Sequence, residues 1–88
     1  MTRLYTEDVN RDNILAVLDK YQDAYTIFAA IGAYRGVHEN SLVIELANSL
    51  SLAEAETIAE EIATINHQES VLVTRGDNFS EFVTPAEA

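Results

Sequence analysis

Apolar residues change their spacing along this chain, and the order of the changes limits the folds open to it. In NRDNILAVLDKYQD, Ile14, Val17, Leu18 and Tyr21 recur at i, i+3, i+4 and i+7, which is one face of a helix. In SLVIELAN, Leu42, Ile44 and Leu46 alternate with Ser41, Val43 and Glu45, the period of a strand. Helical spacing returns at Ala55, Ile58, Ala59, Ile62 and Ile65. Between these stretches, RLYT, AYTIFAAIGAY and SVLVT are short runs rich in β-branched and aromatic residues, and read as strands.

The expected order is therefore β-α-β-β-α-β. Strands are placed near residues 3–7, 25–33, 41–48 and 70–75, and helices at Asn10–Gln22 and Ser51–Asn66. FSEFV fits an additional C-terminal edge strand. This is the split βαβ pattern of an α+β, ferredoxin-like sandwich, with an antiparallel sheet and both helices on one face. In it strand 1 lies between strands 4 and 3, and strand 2 lies outside strand 3. Asp8 or Asn10 is placed to cap the first helix. Ser51 and Glu54 have the S-x-x-E spacing of a capping box at the second. One domain is expected over residues 1–84, with residues 85–88 a frayed tail.

The topology sets a register. If Leu4 faces Ile44 toward the helices, Arg3 pairs with Glu45 and Tyr5 with Val43 on the other face, both favourable across strands. The hairpin between strands 2 and 3 then shares one end of the sheet with Glu7 and Glu69, and Arg3 and Arg75 meet at the other end. The face without helices carries Tyr5, Val43 and either Leu72 or the pair Val71 and Val73. A solvated antiparallel face should be polar, so an apolar one implies an interface, here homo-oligomerisation through the open sheet face.

The 88 residues carry fifteen acidic side chains against five basic ones, a net charge of −10. That lacks the basic footprint that DNA, RNA or an anionic membrane requires. It suits plain solubility, or an acidic protein that occupies a basic surface of a host protein. There is no cysteine, hence no disulfide or thiolate metal site, and the two histidines, His38 and His67, are far apart in sequence. No apolar run is long enough to span a membrane, and MTRLYTEDVN has no signal-peptide core, so a cytoplasmic location is expected.

GAYRGVHEN has two readings. Gly36 suits a turn that needs positive φ, and Gly32 suits a bulge or a close backbone approach, so the segment can be a hairpin connection alone. It also gathers Tyr34, Arg35, His38 and Glu39, a set able to stack on and hydrogen-bond a flat anionic ligand such as a nucleotide. Its glycines match no phosphate-binding fingerprint. Arg3 and Arg75 are a second candidate site. His67, at the C-terminal end of a helix, fits a capping role. With no Ser-His-Asp grouping or metal-binding spacing, the expectation is a non-enzymatic binding protein without cofactor or metal.

From YTEDVNRDNILAVLDKY through YTIFAAIGAYRGVHENSLVIEL to NHQESVLVT, the chain resembles small, largely uncharacterised ferredoxin-like proteins of phages and bacteria. A fainter, fold-level similarity is to PII-like trimers, which bind nucleotides and other small anions in clefts between subunits; no PII signature or long PII loop is present. The resemblance implies a rigid oligomer that captures a small, nucleotide-like anion, and, for a phage protein, a counter-defence role. The alternative is an acidic protein–protein inhibitor.

Overall fold

The structure, a computed structural model, describes residues 1–47 and 49–86. Its elements are β1 (Thr2–Glu7), α1 (Arg11–Tyr21), β2 (Tyr25–Tyr34), β3 (Val37–Leu46), α2 (Leu52–Ile65), β4 (Val71–Arg75) and β5 (Phe79–Val83). They form one antiparallel sheet in the order β2-β3-β1-β4-β5. This is the ferredoxin-like α+β arrangement, with the C-terminal edge strand added beside β4. Leu4 lies opposite Ile44, Arg3 opposite Glu45 and Tyr5 opposite Val43, the register expected from the sequence.

The core lies between the sheet and the two helices. Leu4, Ile44, Leu46, Val71 and Val73 come from the strands, and Ile14, Leu18, Ile58 and Ile62 from the helices. Leu4, Ile44, Ile58 and Ile62 are fully buried. Each such side chain is worth about 1.5–3 kcal/mol of transfer free energy. Tyr21 and Ile65 share the helical stripes but lie at their margins and are exposed.

Three local expectations change. First, β3 begins at Val37, not Ser41, and VHEN is strand. Arg35 (φ 51°) and Gly36 (φ 80°) are the two central residues of the turn, and both have positive φ. Such a turn matches the twist of the flanking strands, so the ladder runs to its tip at Tyr34 opposite Val37. The polar residues that imitate a loop are strand residues beyond the reach of the helices. Second, Asn10 precedes α1 in the left-handed region, at φ 48°, and makes no side-chain cap bond. Its carbonyl accepts from Asn13 N–H instead, and Asp8 pairs with Arg11 at 2.7 Å. Third, Gly32 sits in an unbroken ladder opposite Glu39, so no bulge forms there. The close approach is real: a Cβ on Gly32 would lie 2.7 Å from Ser41 Oγ.

The capping of α2 follows the sequence. Ser51 Oγ accepts from Glu54 N–H at 3.1 Å and donates to the Glu54 carboxylate at 3.0 Å. At the other end Gln68 N–H donates to Ala63 O and His67 N–H to Thr64 O, with His67 left-handed at φ 54°. That is the Schellman closure, with histidine where glycine is usual. Of the expected strand 41–48, Asn48 lies outside the described residues, as do Glu87 and Ala88 of the expected tail. Ala86 N–H donates to Thr64 Oγ1 at 2.9 Å.

Candidate functional site

Strand alternation sorts the open face. Arg3, Tyr5 and Glu7 of β1 point away from the helices, as do Phe28, Ala30, Gly32 and Tyr34 of β2. Val37, Glu39, Ser41, Val43 and Glu45 of β3, Leu72 of β4 and Phe82 of β5 share that face. Of the two options left open on β4, Leu72 is the outward residue, whereas Val71 and Val73 are buried against the helices.

At the end of this face holding Glu7 and the segment before β4 lies a cleft of about 480 Å³. That volume is within the range of small-molecule sites. Tyr5, Tyr34 and Phe82 give it aromatic walls, Glu7, Glu39 and Glu69 its charge, and Ser41, Gln68 and Ser70 its neutral polar groups. Gly32 leaves the floor open, because a side chain there would project into this space.

The electrostatics are one-sided. Three ion pairs occur among the described residues: Arg3–Glu45 at 2.8 Å, Arg11–Asp8 at 2.7 Å and Lys20–Glu61 at 2.7 Å. None includes Glu7, Glu39 or Glu69, and no lysine or arginine lines the cleft. Among the described residues no three His, Asp or Glu side chains stand close enough to hold a metal ion. Three dispersed, uncompensated carboxylates beside aromatic rings instead suit an organic cation.

A polar network fixes this end of the sheet. Thr6 Oγ1 and Glu7 N–H both donate to Gln68 Oε1, at 2.8 and 3.2 Å. Asn66 Nδ2 donates to Val9 O at 2.8 Å, and Asn13 Nδ2 to Asn66 Oδ1 at 3.2 Å. Asp8 N–H donates to Asn40 O at 2.9 Å, joining the end of β1 to β3. One group is left over: Gln68 Nε2 is buried without a hydrogen-bond partner among the described residues. An unpaired buried donor costs about 1–3 kcal/mol.

The residues singled out in the sequence are dispersed by the fold. Tyr34 and Glu39 line the cleft. Arg35 lies at the hairpin tip, its guanidinium carbon 4.9 Å from the centre of the Tyr34 ring, and is not a lining residue. His38 lies opposite Ala33 on the other face of the sheet from Glu39. Arg3 is on the open face and held by Glu45; hydrogen bonding and charge attraction from that carboxylate raise its pKa. Arg75 lies opposite Thr2 on the helix face, so the two arginines share an end of the sheet but not a side. Sequence reasoning missed Gln68. Only the fold, which carries it beside Thr6 across 62 positions of chain, exposes its role.

No protein-family model matches the chain. No curated protein matches it either. Among solved structures it is similar to a phage SAM lyase in its apo state, with a TM-score of 0.66 and 18% identity, over 99% of this chain and 82% of that one. The likeness is one of fold. It corrects the expectation that a chain of this pattern is not an enzyme, because the same fold over the same span carries a lyase. That expectation followed from the absence of a familiar catalytic motif, and lyase chemistry requires none of those motifs. Among the described residues no helix is long and apolar enough to cross a membrane.

Proposed function

We propose that the cleft binds a nucleoside-type cation of the S-adenosylmethionine class and cleaves it as a lyase. The observation that carries this reading is the joining, in one cleft, of three aromatic rings with the uncompensated carboxylates Glu7, Glu39 and Glu69. A sulfonium needs a negative, partly apolar site, and a nucleobase needs flat surfaces to stack on. The ligand expected from the sequence was an anion held by Arg35 and His38; with both outside the cleft, a cation fits better. The fold neighbour's chemistry supports the choice of sulfonium.

In such a cleavage the carbon–sulfur bond breaks, its electron pair leaves on sulfur, and a neutral thioether departs. The carbon regains a pair from a neighbouring C–H bond, whose proton passes to a cleft carboxylate, or from the ligand's own carboxylate oxygen. The products separate the two routes: loss of the neighbouring proton leaves an alkene, whereas attack by the ligand's own carboxylate leaves a lactone.

The open face also supports self-association. Phe28, Phe82 and Val37 are 48%, 65% and 68% exposed there, beside half-buried Tyr5, Val43 and Leu72. A second copy packed on this face removes that apolar surface from water and roofs the cleft. In a phage, removal of a host methyl donor would be a counter-defence activity.

The test is incubation of the purified chain with S-adenosylmethionine, followed by chromatography. Release of the thioether is expected. No consumption and no heat of binding, together with salt-sensitive capture of a basic host protein, would overturn the reading in favour of an acidic inhibitor.

A further inference from the structure

Gly32 has no backbone reason to be glycine. Its φ is not positive, and it lies in an unbroken ladder, where glycine weakens a strand. What it leaves is space on the open face. A Cβ there would lie 2.7 Å from Ser41 Oγ and 3.9 Å from Glu39 Cγ, so both side chains border the gap. Ser41 Oγ thus leans over Gly32 on the cleft side of the sheet, and both residues belong to the cleft lining. The hydroxyl takes part in no side-chain hydrogen bond among the described residues. It is not sealed off either. Gln68 Nε2 is the one buried side-chain polar atom without a partner among the described residues, so the unpartnered Ser41 hydroxyl of this half-buried residue is reached from the cleft.

Two carboxylates flank this hydroxyl. Glu7 lies directly opposite Ser41 on β1, and Glu39 lies two positions back along β3 on the same face. Side chains directly opposed across strands have Cβ atoms about 4.5–5.5 Å apart. Neither carboxylate enters an ion pair among the described residues. A hydroxyl carries one hydrogen and two lone pairs. Between two carboxylates its hydrogen turns toward one of them, and its lone pairs are left for a donor.

We propose that the recess over Gly32 receives a primary ammonium group of the ligand, with Ser41 Oγ as a hydrogen-bond acceptor and Glu7 and Glu39 as counter-charges. The proposal rests on the reading of the cleft as a site for a cation of the S-adenosylmethionine class, and it adds which end of that ligand reaches the floor. An ammonium has three N–H donors and little bulk, which suits three acceptors around a gap made by a missing side chain. A sulfonium carries three carbon substituents and no N–H, so it has no use for the hydroxyl and belongs nearer the aromatic walls. Ser41 is then a specificity-determining residue for an amine-bearing ligand.

The experiment is calorimetric binding of S-adenosylhomocysteine and of its analogue with the amino group replaced by hydrogen. Neither is a sulfonium, so neither is cleaved by the routes above. The unmodified chain should prefer the amine by roughly tenfold or more, the behaviour of a hydrogen bond to a charged group. Ser41→Ala, shown to be folded by thermal melts, should weaken binding of the amine severalfold and leave binding of the analogue unchanged. If that variant fails to fold, Glu39→Gln, at an exposed position, replaces it and should lower the same preference. Equal binding of the two ligands by the unmodified chain, or a preference that survives in the folded variant, overturns the inference. If S-adenosylmethionine is still consumed in that case, the lyase reading stands without it. If neither S-adenosylmethionine nor S-adenosylhomocysteine binds, both fall.

Discussion

Replacing Gly32 by valine separates the cleft from the fold that builds it. Gly32 lies within β2, opposite Glu39, on the cleft face, and is not among the residues with positive φ, so valine fits the backbone. Glycine in a strand interior costs about 0.5–1 kcal/mol relative to alanine, and valine's strand preference adds within a scale spanning about 1 kcal/mol. Against this, the new Cβ lies 2.7 Å from Ser41 Oγ. A small hydroxyl can turn aside, and strain in its rotamer costs about 0.5–1.5 kcal/mol. The two contributions nearly cancel. At about 4–8 °C per kcal/mol for a domain of this size, the melting temperature should move by only a few degrees. Ligand binding has no such compensation, because the added methyls occupy the cleft floor. Overpacking a filled site costs about 1–3 kcal/mol, or roughly 5- to 150-fold in affinity. Calorimetric titration with S-adenosylmethionine and thermal melts on the same samples measure both quantities. Unchanged affinity in a normally folded variant would refute the placement of the ligand over Gly32.

His67→Gly should stabilise the chain by about 0.5–1 kcal/mol in urea unfolding, the left-handed cost of about 1–2 kcal/mol less glycine's own entropy of about 0.5–1 kcal/mol; a loss would mean that the imidazole contributes more than its backbone costs. Val43→Asp should make self-association fail in sedimentation equilibrium while the secondary structure persists, and a monomeric unmodified chain at micromolar concentration would contradict the open-face interface. Glu81 has its pKa raised, first by partial burial and then by the hydrogen bond and charge of Glu56. A raised folded-state pKa means a contribution present in acid, below the ordinary carboxylate value, and lost as pH rises through the raised one. Glu81→Gln should therefore be more stable than the unmodified chain near neutrality and equal to it in acid, as read by urea midpoints at the two pH values.

The layers, strand order and β1–β3 register were legible because apolar period and face agree: Ile44 and Ile62 follow from spacing, and Leu4, assumed to face Ile44, is buried with them. The hairpin tip was not. This two-residue turn has positive φ at both positions, and Gly36 signals only one of them; arginine at 35 gives no such signal. VHEN then reads as loop because its polarity reflects the end of helix coverage rather than the end of the strand. The candidate site was half legible. The shared sheet end of Glu7, Glu69 and the hairpin came from topology. His38 and Glu39 were grouped as members of one loop, whereas the segment is strand and its alternation puts them on opposite faces. Gln68 could not be found, because an amide's value depends on which of its ends is already bonded, and that is a fact of three-dimensional contacts.

The charge of −10 takes on a different meaning once it is placed. As composition, it fits solubility or mimicry of a polyanion equally well. In the structure, three of the five basic side chains are spent on Asp8, Glu45 and Glu61, away from the cleft lining. Arg35 is stacked on Tyr34 at the hairpin tip, and Arg75 lies on the helix face. The cleft is therefore left with carboxylates alone among its charged lining residues. A generally acidic surface raises the local concentration of cations, and a concave, partly apolar wall strengthens that field. The same scarcity of basic side chains that lacks a nucleic-acid-binding footprint thus leaves Glu7, Glu39 and Glu69 without an ion-pair partner among the described residues, the setting that a small cationic ligand would need.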